Sequence, residues 1–223
     1  MRALVRYQAA LLLRSYGWLP PFLAYVLLMV VGVTPGDPLL GSQAVGAAVL
    51  LPVSAWLVRA VLTAEPAASR ACLAAAATAP RVQLAALLTA LSAGLALALG
   101  GALGLLAVCG PVGDAGVPRT PAAAAVAAGL LASAVCVLLG VAVGALCNRP
   151  VLSRAQYGIP LALAAATLVL VAPSSPANAA VRGLVDAART GRVGYAWGPL
   201  VLAGALLAVV AAVTGRLAGR RAE

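Results

Sequence analysis

The side chains that could carry acid–base or metal chemistry are few in this sequence and lie far apart along it. Histidine is absent, and the acidic residues are Asp37, Glu65, Asp114, Asp186 and Glu223. We expect all five in loops, at the ends of apolar segments or in the C-terminal tail, because a charge inside such a segment is costly. A hydrolase or transferase needs a nucleophile with a base, or a pair of carboxylates, and the sequence assembles neither.

Thiols and hydroxyls are the remaining candidates for chemistry. The cysteines are Cys72, Cys109, Cys136 and Cys147. They form no C-x-x-C pair, and we interpret them as small apolar residues. The hydroxyls within apolar segments are Ser54, Thr89, Ser92, Ser133 and Thr167. A hydroxyl inside a helix usually donates to a carbonyl one turn earlier, which is the role expected here. We therefore predict no catalytic residue, no metal ligand and no bound cofactor.

The composition indicates an integral membrane protein. Of the 223 residues, 64% are hydrophobic and 9% are charged, whereas a soluble domain carries about 25% charged residues. Alanine, leucine, valine and glycine supply the apolar character, which suits helices packed through small residues. The predicted fold is a single all-α transmembrane domain, residues 1–223, with six transmembrane helices and an amphipathic interfacial helix at the N-terminus.

The six predicted spans are apolar segments separated by polar or proline-containing connections. They cover residues 19–33, 44–62, 82–108, 122–147, 153–172 and 198–217. About 20 helical residues are needed to cross a bilayer core, so the first segment is short. No small-residue cleavage site follows it, and we expect it to remain as an uncleaved first helix.

The arginines predict the orientation of these spans. Every basic residue is an arginine. With the N-terminus in the cytoplasm, eleven arginines fall on the cytoplasmic side and four (Arg119, Arg182, Arg189 and Arg192) fall outside. This is the bias of the positive-inside rule, and it places both termini in the cytoplasm. The net charge of +10 is thereby explained by topology, and nucleic-acid binding is not expected.

The N-terminal segment, residues 2–16, has the pattern of a helix at a membrane surface. Arg2, Arg6 and Arg14 fall within one third of the helix circumference, and most leucines lie opposite. Trp18 follows as an interfacial anchor, and the Pro20-Pro21 pair is where we expect the chain to turn into the membrane. The alternative is that this segment extends the first span, with its arginines reaching back to the surface.

Two connections between spans have a character of their own. The polar segment 63–81 lies between the second and third spans and contains Glu65, Ser69, Arg70 and Arg81. Two prolines in it bracket a predicted helix, residues 67–79, that would lie along the cytoplasmic surface. The segment 173–197 is the longest outer connection, and it contains a predicted short helix on the external surface.

Small residues recur at the spacing that brings membrane helices close together. Gly100 and Gly104 form a G-x-x-x-G pair in the third span, and Gly140 and Gly144 form another in the fourth. Both pairs are predicted to lie at helix contacts.

Transport is the function class that these residues leave most open. An ion-coupled carrier commonly uses a buried carboxylate, and none is visible, although Pro52 and Pro160 could interrupt spans and expose carbonyls. The chain has no lysine, and so it cannot contain the phosphate-binding motif G-x-x-x-x-G-K-[ST]. If ATP drives transport, another polypeptide must hydrolyse it.

The order of these features resembles that of the membrane subunits of ABC-2-type exporters, and especially small actinobacterial permease-like proteins. The resemblance covers the whole chain in architecture. Its specific motifs are the start RYQAALLLRS, the Trp18-Leu19-Pro20-Pro21 entry to the first span, and the Trp56-Leu57-Val58-Arg59 sequence followed by Glu65-Pro66.

The resemblance implies a half-transporter in the bacterial cytoplasmic membrane. Two copies, or this chain and a related one, would form the pathway and dock on soluble ATP-binding subunits that hold ATP and magnesium. The segment 63–81 would carry the docking element, with Glu65, Ser69, Arg70 and Arg81 as its polar residues, and residues 2–16 would be the connecting helix. Export as the direction comes from the resemblance alone.

Three alternatives stay open. A non-transporting assembly factor, sensor partner or immunity protein would account for the lack of a recognisable substrate site. A secondary carrier would move its substrate on an ion gradient without ATP. An enzyme is the third, and it has the least support from the residues.

Overall fold

The computed structural model describes residues 1–109, 121–148 and 158–220. All regular structure in these ranges is helical, as predicted. The helices are α1 (Arg2–Arg14), α2 (Leu19–Gly32), α3 (Leu39–Ala64), α4 (Ala67–Ala77), α5 (Ala79–Val108), α6 (Ala122–Leu146), α7 (Gly158–Val171), α8 (Pro176–Thr190) and α9 (Trp197–Arg220). Asp114, Arg119, Arg149, Arg154, Arg221 and Glu223 lie outside the described residues.

The centre of the fold is α3, which packs most extensively against α6 and also contacts α2, α5, α7 and α8. Leucine, valine and alanine occupy every side of α3, so the helix can be buried all round, and Leu40 and Leu51 are fully buried. The outer helices α5 and α9 instead expose large apolar side chains such as Leu103 and Val201. That distribution suits a protein surrounded by lipid.

Four helices (α3, α5, α6 and α9) are long and apolar enough to cross a membrane. Up to six spans result if each of two bent helix pairs is one span: α1 with α2, bent by 71°, and α7 with α8, bent by 54°. Alone, α2 and α7 have 14 residues each and are about 21 Å long, less than the roughly 30 Å of a bilayer core. The predicted segment 153–172 begins outside the described residues.

The chain turns between α1 and α2 four residues earlier than the prolines suggested. The turn occupies residues 15–18, and Tyr16 takes a positive φ of 53° within it. Pro20 and Pro21 lie in the first turn of α2, where the missing N–H groups cost nothing. The prediction that the chain bends at Pro20-Pro21 is therefore wrong in its position.

Pro52 does not interrupt the second span. Helix α3 continues through it as one helix of 26 residues. The nearby Ser54 hydroxyl donates to the carbonyls of Leu50 at 2.7 Å and Leu51 at 3.0 Å, which satisfies acceptors next to the proline. Pro160 lies in the first turn of α7. The broken helices that could have exposed carbonyls to a transported ion are absent at these two positions.

Two short helices lie at opposite ends of α3. Glu65 directly follows the C-terminal end of α3, accepts a hydrogen bond from Gln8 of α1, and leads into α4. In contrast, α8 shares a core cluster with Leu39 and Leu40 at the start of α3. With 26 residues, α3 is about 39 Å long. The bundle therefore has one end that carries α1 and α4, and another that carries α8.

The sequence around α4 and α8 explains where both helices begin and end. Pro66 precedes α4. The helix ends at Ala77, two residues before the predicted end, and Thr78 follows it with a positive φ of 70°. The Ser175 side chain caps α8 by accepting from the Ala177 N–H at 3.2 Å, and Gly191 ends α8 in the left-handed conformation. The caps of α8 are ordinary ones, whereas a β-branched residue at positive φ, such as Thr78, is uncommon. A helix is present in each of the two segments where one was predicted.

Candidate functional site

The most polar cluster in the described part of the chain is at the end of α3. The side chain of Glu65 is 1% exposed, although the sequence suggested that it lies on a surface. The Gln8 amide donates to Glu65 Oε2 at 3.1 Å. No hydrogen bond to Glu65 Oε1 is present within the described residues. Because a buried carboxylate is costly unless paired, these contacts hold the α1–α3 junction in one arrangement.

Arg70 of α4 completes this cluster. Its Nε lies 3.9 Å from Glu65 Oε2, and its guanidinium donates to the backbone carbonyls of Leu62 and, at 3.5 Å, Glu65. The Leu62 carbonyl belongs to the last turn of α3 and has no partner inside the helix, and Glu65 is the residue that follows the helix. Arg70 therefore caps α3 and fixes α4 beneath it. We call this cluster the Gln8–Glu65–Arg70 tie.

The four residues predicted to dock an ATPase differ in how exposed they are. Glu65 is buried, and two thirds of the Arg70 side chain is covered. Ser69 is half-buried, and its hydroxyl donates to the Pro66 carbonyl at 2.9 Å. Arg81, at the start of α5, is exposed. Of the four, Arg81 alone is fully available to a partner, while Glu65 and Arg70 have partners inside the chain.

A different set of residues forms the outer surface of α4. Its exposed residues recur at intervals of three and four, which places them on one face of the helix. We call this set the α4 face; it comprises Ala68, Ala71, Cys72, Ala75 and Ala76. All five side chains are small, so a partner can approach the α4 backbone closely.

The N-terminal helix α1 is amphipathic in the structure, as its sequence predicted. Arg2, Arg6 and Arg14 are exposed, and Leu12 is buried. The helix packs on α5 and α3 through its opposite side. Trp18, the predicted anchor, lies against Phe22 with ring centroids 5.5 Å apart in an edge-to-face arrangement. This side of α1 is anchored to protein.

The two glycine pairs have opposite surroundings. Gly144 lies so close to α3 that an added Cβ would be 2.7 Å from the Ala55 carbonyl oxygen, and a Cβ on Gly140 would collide with Ser54. Both glycines therefore serve helix packing, as predicted. Gly100 and Gly104 have no other side chain or distant backbone atom within 4 Å of an added Cβ. The packing prediction for Gly100 and Gly104 is not met by any described residue of this chain.

The open pair instead lines a groove between α2 and α5. The groove has a volume of about 610 Å³ and is walled by apolar residues of both helices. Tyr25 of α2 lies over Gly101, where a Cβ would collide with the tyrosine hydroxyl. We call this space the α2–α5 groove.

Two features of this arrangement were missed from the sequence. At about 100° per residue, Gln8 lies in the middle of the apolar face of α1, and a polar residue there is a signal of a buried partner. Glu65 is that partner. The second feature is the groove, whose glycines gave the same signal as the closely packed pair.

Hydroxyl groups within the apolar helices bond to their own backbone. The intramembrane hydroxyls of Ser54, Thr89, Ser92 and Thr167 donate to carbonyls of their own helices, as predicted. Within residues 1–109, 121–148 and 158–220, no group of three or more histidine, cysteine or acidic residues could hold a metal ion. Comparison with models of protein families, with curated proteins and with solved structures finds no match.

Proposed function

We propose that this chain is the membrane-spanning permease subunit of an ATP-driven exporter in the cytoplasmic membrane of a bacterium. It has six spans and cytoplasmic termini, forms a pathway with a second copy or a related chain, and docks on a separate subunit that hydrolyses ATP. The observation that carries the proposal is the Gln8–Glu65–Arg70 tie, which joins a basic surface helix and a short connecting helix at one end of the bundle.

The charges at the two ends support the orientation. The end formed by α1 and α4 carries Arg2, Arg6, Arg14, Arg70 and Arg81. This end also holds one carboxylate, Glu65, beside these five arginines. The opposite end, at α8, carries Arg182 and Arg189 with Asp186. The positive-inside rule assigns the first end to the cytoplasm, where a soluble ATPase is found. The four long helices supply four spans, and each bent helix pair supplies one more.

The tie gives a docked subunit a mechanical connection to the centre of the fold. Arg70 binds α4 to the last turn of α3, and Glu65 binds the same turn to α1. Since α3 contacts α2, α5, α6, α7 and α8, displacement of α4 acts directly on the helix that holds the others together. The small side chains of the α4 face allow the partner to reach it.

The experiment is co-purification of the full chain with the candidate ATPase, using tryptophan substitutions on the α4 face. Ala71→Trp or Ala75→Trp places a large ring on an exposed position, where it obstructs a partner and leaves the tie intact. Ala179→Trp, on the exposed side of α8 at the other end, is the matched control. We expect the α4 variants to lose at least about ten-fold of the bound ATPase, a change of about 1.4 kcal/mol, and the control to retain it.

The choice of residues keeps the outcomes distinct. Charge reversal at Glu65 or Arg70 would break the tie itself, so loss of the ATPase from those variants would not identify a contact surface. Retention of the ATPase by both tryptophan variants would overturn docking on α4. A wild-type chain that binds no ATPase would overturn the exporter and favour a non-transporting protein, whereas ion-driven transport without ATP would favour a carrier.

A further inference from the structure

The α2–α5 groove has the dimensions of a ligand site open to the membrane. Its volume of about 610 Å³ lies within the range of about 300–1,000 Å³ that small-molecule sites occupy. Along α2 it extends from Phe22 to Val33, which is about 17 Å of helix. One leaflet of the hydrocarbon core is about 15 Å thick. The groove therefore matches the extent of a single acyl chain.

One polar group interrupts the apolar walls. Tyr25 is 6% exposed, and its ring lies over Gly101 in the groove wall. Its hydroxyl forms no hydrogen bond with any described residue of the chain. The hydroxyl oxygen is not fully enclosed by protein, so a group in the groove can reach it, and a phenol in apolar surroundings normally has a hydrogen-bond partner. A ligand with an acceptor at this height would supply the missing partner.

The position of Tyr25 identifies the kind of acceptor. It lies six residues after Leu19, the first residue of α2, and therefore about 9 Å along the helix axis. The headgroup layer on each side of a bilayer is roughly 5–7 Å thick. A helix that begins in this layer brings the Tyr25 hydroxyl close to its inner boundary. Ester carbonyls of phospholipids lie at that boundary, and each can accept one hydrogen bond from a phenol.

We propose that the α2–α5 groove binds one acyl chain of a membrane phospholipid, with the Tyr25 hydroxyl donating to the ester carbonyl at its head. This inference is independent of the exporter assignment, because it requires only that the chain is in a membrane. A transmembrane helix fits the space poorly: a helix about 10 Å across and 17 Å long occupies about 1,300 Å³, twice the groove volume. The α5 wall of the groove leaves enough depth for the thinner acyl chain because it contains glycines without side chains, at positions Gly100, Gly101 and Gly104.

The test uses the full chain reconstituted in phosphatidylcholine vesicles that contain a phosphatidylcholine with a photoactivatable diazirine in its acyl chain. After illumination, adducts are mapped by peptide mass spectrometry. The Cβ of Gly104→Leu would meet open space, and the rest of the leucine side chain would occupy the groove. Gly204→Leu is the matched control, since Gly204 on α9 is also a helical glycine with open space beside it. Tyr25→Phe removes the hydroxyl alone, and Tyr195→Phe is its control at an exposed position.

The expected result is an adduct on the α2 and α5 residues that line the groove. Gly104→Leu should reduce this adduct to the background level, and Gly204→Leu should leave it unchanged. Tyr25→Phe should lower the yield at subsaturating lipid by about five-fold, which is about 1 kcal/mol at 1.4 kcal/mol per tenfold and is typical of one hydrogen bond. Tyr195→Phe should have no effect.

Two results would overturn the proposal. Equal labelling of wild type and Gly104→Leu would mean that lipid contacts this surface without entering a site. Unchanged labelling in Gly104→Leu together with loss of a dimer in native mass spectrometry would assign the groove to a second copy. Circular dichroism and thermal unfolding of each variant check the fold, and the Tyr25→Phe result stands without any change of side-chain volume in the groove.

Discussion

The two glycine pairs in α5 and α6 have the same spacing and apolar neighbours, but different environments. Gly140 and Gly144 face α3, where there is no room for even one methyl group. Gly100 and Gly104 face a groove with open space beside them. In α6 the glycines allow two backbones to approach. In α5 they leave a space that this chain does not fill.

The difference teaches that G-x-x-x-G spacing describes one helix, whereas packing requires a second helix with matching relief. On α3, the facing residues include Ser54 and Ala55, whose small side chains leave backbone carbonyls accessible to α6. On the α2 side of the groove, the lining residues include Tyr25 and Met29, whose side chains are larger than those of Ser54 and Ala55. Two helix backbones come into contact where both helices have small residues, and they stay further apart where one helix has large residues.

The largest effect expected from this comparison is that of Gly140→Leu. A side chain at Gly140 would collide with the Ser54 hydroxyl and the Leu51 carbonyl in the most extensive helix contact. We expect a loss of about 3 kcal/mol, at the upper end for overpacking, measured by thermal unfolding in detergent. Gly100→Leu is the control and should change stability by less than about 0.5 kcal/mol. Similar losses for both variants would mean that the two pairs are equivalent.

Alanine at the second position of each pair should change the stability in opposite directions, and by less than Gly140→Leu does. In Gly144→Ala the new methyl group lies 2.7 Å from the Ala55 carbonyl oxygen and 2.8 Å from Val58 Cβ, and we expect a loss of about 1–3 kcal/mol. In Gly104→Ala the methyl group meets open space, and the higher helix propensity of alanine should add up to about 1 kcal/mol. The measurement is the midpoint of unfolding; a stabilised Gly144→Ala would contradict the close contact.

The smallest effect concerns the turn that joins α2 to α3 at one end of the groove. The Thr34 hydroxyl and the Thr34 N–H each donate to the Asp37 carboxylate at 2.7 Å, and these two hydrogen bonds hold the pKa of Asp37 below its usual value. With the folded pKa below the unfolded one, this stabilisation is present above the unfolded pKa and is lost as pH falls through the folded value. Asp37 is exposed to solvent, so the change is slight.

We expect the unfolding midpoint of the wild type to decrease slightly more than that of Asp37→Asn between about pH 6 and about pH 3, the range in which free carboxylates titrate. The asparagine variant is the control because its side chain keeps an acceptor and does not titrate. An identical pH dependence of the two proteins would show that the negative charge of Asp37 does not stabilise the turn.

Much of the helical arrangement was predictable because the polar and proline residues lie at the connections. The helix between Pro66 and Pro80 was predicted within two residues, and the helix predicted within segment 173–197 is α8. The bend before α2 was placed too late, because Pro20 and Pro21 fit the first turn of a helix as well as a break. Pro52 was expected to interrupt its helix, and the buried packing of α3 overrides that tendency.

The candidate site was harder to predict, because its key residue makes a contact distant in sequence. Glu65 in a polar segment looks like a surface residue, and its burial depends on Gln8, 57 residues earlier. The groove was not predicted for a related reason, because the two glycine pairs have the same spacing. Both features depend on which helix lies opposite, and local spacing carries no information about that.

The separation between Gln8 and Glu65 also orders events in time. A growing chain lengthens by about 5–20 residues per second, so the 57 residues between the two partners take roughly 3–11 s to synthesise. Throughout that interval α1 exists without the carboxylate that later receives its amide. During synthesis, the hydrogen bond between α1 and Glu65 therefore waits until α3 has been made.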